Sequence, residues 1–392
     1  MPKNRRTVKI LSLLIAMILV LGNVTSLVHA KEQNLSTVKE DLKLEAANKV
    51  TKEVREDFKK GDLVEVLVYM KDQADVMNVA KATEVSLLSK MTPYSTKMEV
   101  RKAVTEALRD KADMTQSKLI KYLEQEKEKG NVEEFKSFHI VNMVFVKATP
   151  EVVENISFMN ELGKIYKNKI HKLEHIKETR ADGKINLDYT EPQWNIIRVG
   201  ADQVWNMGID GTGTVVGLID SGADWTHPAL RNKWRGYDPN TGKVVEPEKS
   251  WIDLQYRASL PEDSDTHGTH VLGTILGREP NGSNPIGVAP GARWIAARVF
   301  DRSGYTTDRI LLDAAEWMLH PGGDPTAAPD VGNNSWGGPG GIDDWYRDAV
   351  RAWRAAKIFP VFSAGNQRPG EPLPWPGSIS NPANYPESYA VA

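Results

Sequence analysis

The sequence predicts an α/β protein in two parts, a doubly wound parallel sheet preceded by a small α+β unit. Three observations predict it. From Thr214 onward, short Val/Ile-rich runs alternate with helix-length segments, the pattern of strands buried on both faces and joined by crossover helices. Before residue 177, strand-like and helix-like segments also alternate, but among dense Lys and Glu. Between them, Lys177 to Thr190 is polar and aperiodic, which reads as a linker.

In the first part, Leu63 to Met70 (LVEVLVYM) reads as a buried strand. Val104, Leu108, Leu119 and Leu123 recur at near-helical intervals within Val100 to Lys129, so this segment is an amphipathic helix with a solvated face. Ser137 to Lys147 reads as a second strand. Thr149-Pro150-Glu151 then opens a short helix toward Met159, and Gly163 to Leu173 alternates as a third strand. In the second part, strands are expected at Thr214–Ile219, Ala292–Phe300, Val331–Ser335 and Ile358–Ser363, and helices at His267–Leu276, Thr306–Leu319 and Asp343–Ala356.

The chain has 392 residues, a formal charge of -2 and no cysteine. The charge balance gives no general pull toward nucleic acid, and the missing cysteine excludes disulfides and thiolate chemistry. Lys3, Arg5, Arg6 and Lys9 precede an apolar run from Ile10 to Leu21, followed by Val28 and Ala30. This is the pattern of a secretory leader cleaved after Ala30, with an uncleaved anchor as the alternative; after cleavage no stable membrane span is expected. The expected parts are a leader at 1–30, a second segment at 31–180 and a third at 181–392.

In an open parallel sheet the functional crevice lies at the carboxyl ends of the strands. Asp220 ends the run Thr214–Ile219, as a catalytic carboxylate or as an Asx turn capping the strand. His267 opens a helix in Asp265-Thr-His-Gly-Thr-His270, and Gly268, Gly273 and Gly277 in so short a helix suggest close packing on the sheet. A general base needs such rigid support. His267 and His270 could instead be part of a metal site, but no third ligand cluster is evident. Asn366 ends Phe359-Pro-Val-Phe-Ser-Ala-Gly-Asn, placed to donate to an oxyanion or to stabilise a turn.

In order along the chain stand Asp220-Ser-Gly, His267-Gly-Thr-His-Val-Leu-Gly-Thr, Asn333-Asn-Ser-Trp-Gly-Gly-Pro and Ser363-Ala-Gly-Asn. From Trp194 to Ala392 this resembles the subtilisin-like serine protease family (peptidase S8), whose members carry their triad in the order Asp, His, Ser. The resemblance implies a secreted serine endopeptidase made as a zymogen and acting on polypeptide substrates. Asp220 would orient His267, His267 would be the general base, and Asn366 would donate to the oxyanion. Ser335, Trp336 and Gly337 would pair with an extended substrate, Trp336 walling a subsite or serving as a core aromatic. The first part then resembles the family's ferredoxin-like prodomain, an intramolecular inhibitor and folding aid, with processing expected near Arg180-Ala181.

The chain also departs from the family. No Gly-Thr-Ser motif for the nucleophile occurs, and Tyr389-Ala-Val-Ala392 reads as the start of a further strand, so the catalytic sheet is expected to be incomplete and the chain inactive by the triad route. Ala229 stands where the family often has a calcium-binding aspartate; a structural calcium ion is admitted at Asn281–Pro285, and the chemistry needs no cofactor. Gly211, Gly213 and Gly217 mimic a dinucleotide loop but precede their strand, which argues against nucleotide binding. The alternative to a protease is an inactive secreted product whose prodomain binds, inhibits or chaperones a related protease. Metal-dependent hydrolysis through His267 and His270 is a third reading.

Overall fold

The computed structural model describes residues 40–173, 190–338, 341, 343–366 and 377–392. The leader at 1–30 and the expected processing position near Arg180-Ala181 lie outside the described residues.

The small unit runs β1 (Val64–Met70), α1 (Val76–Leu87), α2 (Pro93–Glu128), β2 (Val132–Phe138), β3 (Met143–Ala148), α3 (Pro150–Ser157) and β4 (Leu162–Lys167). Its strands form an antiparallel sheet in the order β2-β3-β1-β4, the spatial order of a split βαβ arrangement. Thr92 starts α2, its hydroxyl accepting from the Ser95 amide at 3.2 Å, with Pro93 in the first turn where its missing N–H costs nothing. Val100, Val104, Leu108, Ala112, Leu119 and Leu123 then bury one stripe of the helix.

Two expectations change here. The segment Ser137–Lys147 is not one strand; residues 139–142 turn between β2 and β3. Ile140 and Val141 hid this turn because they are as buried as strand residues, at 1% and 0% exposure. The buried Gln116 amide closes it, donating to the Phe138 carbonyl and to the Asn142 side chain. The segment Gly163–Leu173 also divides. Its first half is β4, but β5 (Ile170–Lys172) leaves the small sheet and pairs antiparallel with β9 (Tyr305–Thr307) of the large unit.

The large unit is built on six parallel strands: β6 (Val215–Asp220), β7 (Trp251–Asp253), β8 (Arg293–Arg298), β10 (Val331–Asn334), β11 (Phe359–Ser363) and β12 (Tyr389–Val391). Their order is β12-β11-β10-β6-β8-β7. Alternate residues enter two separate cores. Val216, Leu218, Trp294 and Ala296 face α4 (His267–Leu276), while Ile219, Ile295 and Ala297 face α5 (Asp308–Leu319) and α6 (Arg347–Ala355). Gly217 lets α5 approach, since a Cβ there would lie 2.6 Å from the Met318 sulfur. The expected helix at Thr306 therefore begins two residues later, after the short edge strand β9.

The units are joined through a continuous core that includes Leu67, Val100 and Phe138 from one and Leu311, Val350 and Trp353 from the other. Arg101, 2% exposed, reaches from α2 to the carbonyls of Ala328, Pro329 and Ala356 and to Asp330. Removing the acceptors of so buried a guanidinium would cost about 3–5 kcal/mol. Docking therefore depends on polar matching as well as apolar contact.

Candidate active site

Asp220 is the last residue of β6 and is fully buried, so the sheet itself fixes its carboxylate. Oδ1 lies 2.7 Å from His267 Nδ1 and also accepts from the Ser221 amide at 2.6 Å. One carboxylate oxygen thus bonds both the backbone of the strand end and the imidazole. Its Oδ2 is buried without a hydrogen-bond partner among the described residues. Burial pushes the Asp220 carboxyl above its ordinary range, partly offset by the bond from His267.

His267 is the first residue of α4. It follows Thr266, whose φ of 78° is a left-handed conformation costly for a β-branched residue. The turn is held by a network around Ser221 and Asp263. Ser221 Oγ donates to Asp263 and accepts from the Gly268 amide at 3.0 Å, while the other Asp263 oxygen accepts from the Thr269 amide at 2.8 Å. A Cβ on Gly268 would lie 2.0 Å from the Gly222 carbonyl oxygen, so helix and strand-end loop touch backbone to backbone. Gly277 is similarly crowded, with Gly273 O at 2.6 Å, but Gly273 is not: its Cβ would meet only Ile286, at 3.7 Å.

Burial works to lower the His267 pKa, but the bond to Asp220 and the charges of Asp220, Asp265 and Asp263 outweigh it and raise the value above that of a free imidazole. With Nδ1 committed to Asp220, the remaining basic position is Nε2. This half of the site can accept a proton and stabilise the imidazolium that results.

Asn366 lies three residues beyond β11, at the same carboxyl edge of the sheet as Asp220 and His267, and is exposed. It lines a small cavity with Trp336, Gly337 and the segment His171–Leu173. Trp336 is 6% exposed and packs edge-on against Tyr346 and Phe362, both at 5.6 Å, so it is chiefly a core aromatic with part of its surface in this cavity. Ser335 and Gly337 line the same cavity.

The hydrogen-bonding partner of β5 is β9, whose last two residues fall within the helix expected from Thr306. Lys172, His171 and Ile170 pair with Tyr305, Thr306 and Thr307, and the Leu173 amide donates to the Gly304 carbonyl at 2.8 Å. The small unit also covers the start of α5. There Asp308 N donates to Lys169 O, and Arg309 N to Asn168 Oδ1, both at 3.0 Å. A three-residue edge strand next to a helix start carries too little periodicity to show in sequence.

His270 and His227 line a separate cavity beside Ala229 and Ile286. In the adjacent loop, the Asn281 side-chain oxygen already accepts from Ser283, and Asn284 donates to Glu279.

Residues 211–392 match the Subtilase family, the peptidase S8 type. They belong to it. The chain is similar to bacillopeptidase F of Bacillus subtilis, 42% identical over 361 residues that cover 88% of this chain and 24% of that protein. It is 33% identical to a probable subtilase-type serine protease of Deinococcus radiodurans over 47% of this chain and 25% of the relative. It is 27% identical to the minor extracellular protease Vpr of Bacillus subtilis over 63% of this chain and 28% of that protein. The chain thus spans about a quarter of the length of these curated relatives. Asp220 and His267 both lie within the matched residues.

Proposed function

We propose that the chain is the front portion of a secreted subtilisin-like serine endopeptidase made as a zymogen, with a leader at 1–30, an inhibitory prosegment at 31–180 and a catalytic part from 181. The observation that carries this reading is the 2.7 Å contact between Asp220 Oδ1 and His267 Nδ1 at the carboxyl edge of the parallel sheet. In the proposed acyl transfer, His267 Nε2 takes the proton of a serine hydroxyl and later returns it to the leaving amine. Asp220 holds the imidazole in the tautomer that makes this possible, and the Asn366 amide donates to the developing oxyanion. No Gly-Thr-Ser motif for that serine occurs among these 392 residues.

The pairing of β5 with β9 supports the inhibitory role. An extended substrate would pair with Ser335–Gly337 by β-augmentation, and His171–Leu173, held on β9, already line the cavity that these residues share. The leader pattern supports secretion, as does the likeness to a protease named as extracellular; no helix among the described residues is long and apolar enough to cross a membrane. The second reading, a product that inhibits or chaperones a related protease, draws on the same pairing.

A fluorophosphonate probe separates the two readings. The protein extended past Ala392 is expected to label covalently at serine and to lose labelling on His267→Ala, whereas the 392-residue chain stays unlabelled. Labelling of the shorter chain, or labelling of the extended one that ignores His267, would overturn the proposal.

A further inference from the structure

Three side chains meet where the small unit rests on α5. His139 lies in the turn between β2 and β3, and Glu316 and His320 stand one helical turn apart at the end of α5. Their potential ligand atoms all lie within 4.8 Å of one another. The two imidazoles stack with centroids 4.9 Å apart and planes 16° from parallel, and their Nε2 atoms are 2.9 Å apart. Glu316 Oε2 accepts from the backbone amides of His139 and Ile140 at 2.7 and 3.1 Å, and lies 2.9 Å from His139 Nδ1.

This arrangement fixes a tautomer. A carboxylate pinned by two amides holds the proton of His139 on Nδ1, which leaves the Nε2 lone pair directed at His320. Carboxylate, imidazole and a second imidazole in line are the outer and inner parts of a metal-binding histidine pair. Two imidazole nitrogens on one tetrahedral zinc stand roughly 3.3 Å apart, given Zn–N bonds of about 2.0–2.1 Å. The pair needs to open by only a few tenths of an ångström.

We propose that His139 and His320 bind a divalent d-block cation, zinc above all, between the small unit and the subtilase domain, with Glu316 as the carboxylate that orients His139. Imidazole ligands favour zinc, copper and nickel over calcium or magnesium, and water completes the coordination on the partly exposed side. Because one ligand comes from each unit, the ion binds only the docked arrangement. By mass action, zinc at about a hundred times its Kd would favour that arrangement roughly a hundredfold. The site is independent of the protease reading, since neither ligand belongs to the Asp220–His267 pair.

The test is calorimetric titration of the metal-stripped, untagged 392-residue chain with zinc sulfate, paired with thermal unfolding. One equivalent is expected to bind with micromolar affinity and to raise the unfolding temperature. His139→Asn and His320→Asn should each weaken binding at least tenfold, and Glu316→Gln about tenfold, the scale for an outer-shell carboxylate. His139→Gln, which keeps the backbone bond to Glu316, provides a second variant should His320→Asn fail to fold. His270→Ala should bind as the parent does. Absence of saturable binding, binding indifferent to His139 and His320, or binding lost in His270→Ala instead would each overturn the proposal.

Discussion

The amide of Leu173 donates to the carbonyl of Gly304 at 2.8 Å, binding the small unit's chain to an edge strand of the subtilase domain. On the proposed function, β5 held on this strand keeps an extended substrate out of the cavity that His171–Leu173 share with Ser335–Gly337. Whatever weakens this pairing should ease inhibition without touching the acid and base.

Leu173→Pro removes that donor while leaving the chain extended. A backbone hydrogen bond contributes about 0.5–1.5 kcal/mol net, so inhibition by the prosegment should weaken roughly two- to tenfold. The lag before peptidase activity appears in the extended enzyme should shorten accordingly. An unchanged lag would show that β5 does not hold the cleft shut.

Asp220→Asn keeps the shape of the side chain but lets the amide present a donor to Nδ1, which reverses the imidazole tautomer. In the extended enzyme kcat should fall about ten-thousandfold with KM nearly unchanged, the scale known for this replacement in Ser-His-Asp triads. Asn366→Ala should lower kcat about a hundred- to thousandfold, a magnitude established for subtilisin itself and carried over here. Steady-state kinetics on a peptide anilide checks both.

On the proposed function, the raised pKa of His267 sets the acid limb of activity in the extended enzyme. A general base must be neutral, so kcat/KM should fall off on the acid side at a pH above the ordinary imidazole value of about 6.5. Asp265→Asn removes one of the charges that raise it and should move the limb to lower pH. The sign for stability is opposite. A histidine whose folded pKa is raised stabilises the fold fully below its unfolded pKa, and that contribution is lost as pH rises through the folded value. A pH–rate profile paired with a pH series of unfolding midpoints would reveal the two trends running in opposite directions.

The parallel core was legible because its strands carry continuous apolar runs; β6 and β8 each fall within a residue or two of expectation. Asp220 and His267 were legible for the same reason, as polar residues where such a run stops or where a glycine-marked helix starts. The β2–β3 turn was not, because Ile140 and Val141 are buried as deeply as strand residues while their backbone reverses. Nor was β9, whose last residue, Thr307, is also the helix cap that dominates the local pattern. His139, Glu316 and His320 are scattered singly along the chain, and only docking of the two units brings them together.

The glycines of α4 give a test with two signs. At Gly268 an added methyl group would sit 2.0 Å from the Gly222 carbonyl oxygen, which is backbone, and 3.2 Å from the Asp220 Cβ. Gly268→Ala must push the helix from the strand end, at a cost of about 1–3 kcal/mol or more, and it carries His267 away from Asp220 as it does so. At Gly273 the same methyl group meets only Ile286, at 3.7 Å. There alanine should gain about 1 kcal/mol from helix propensity alone. Thermal unfolding of the two variants should therefore shift in opposite directions from the parent chain; destabilisation by both would mean that glycine serves α4 in some way other than close approach to the Asp220 loop.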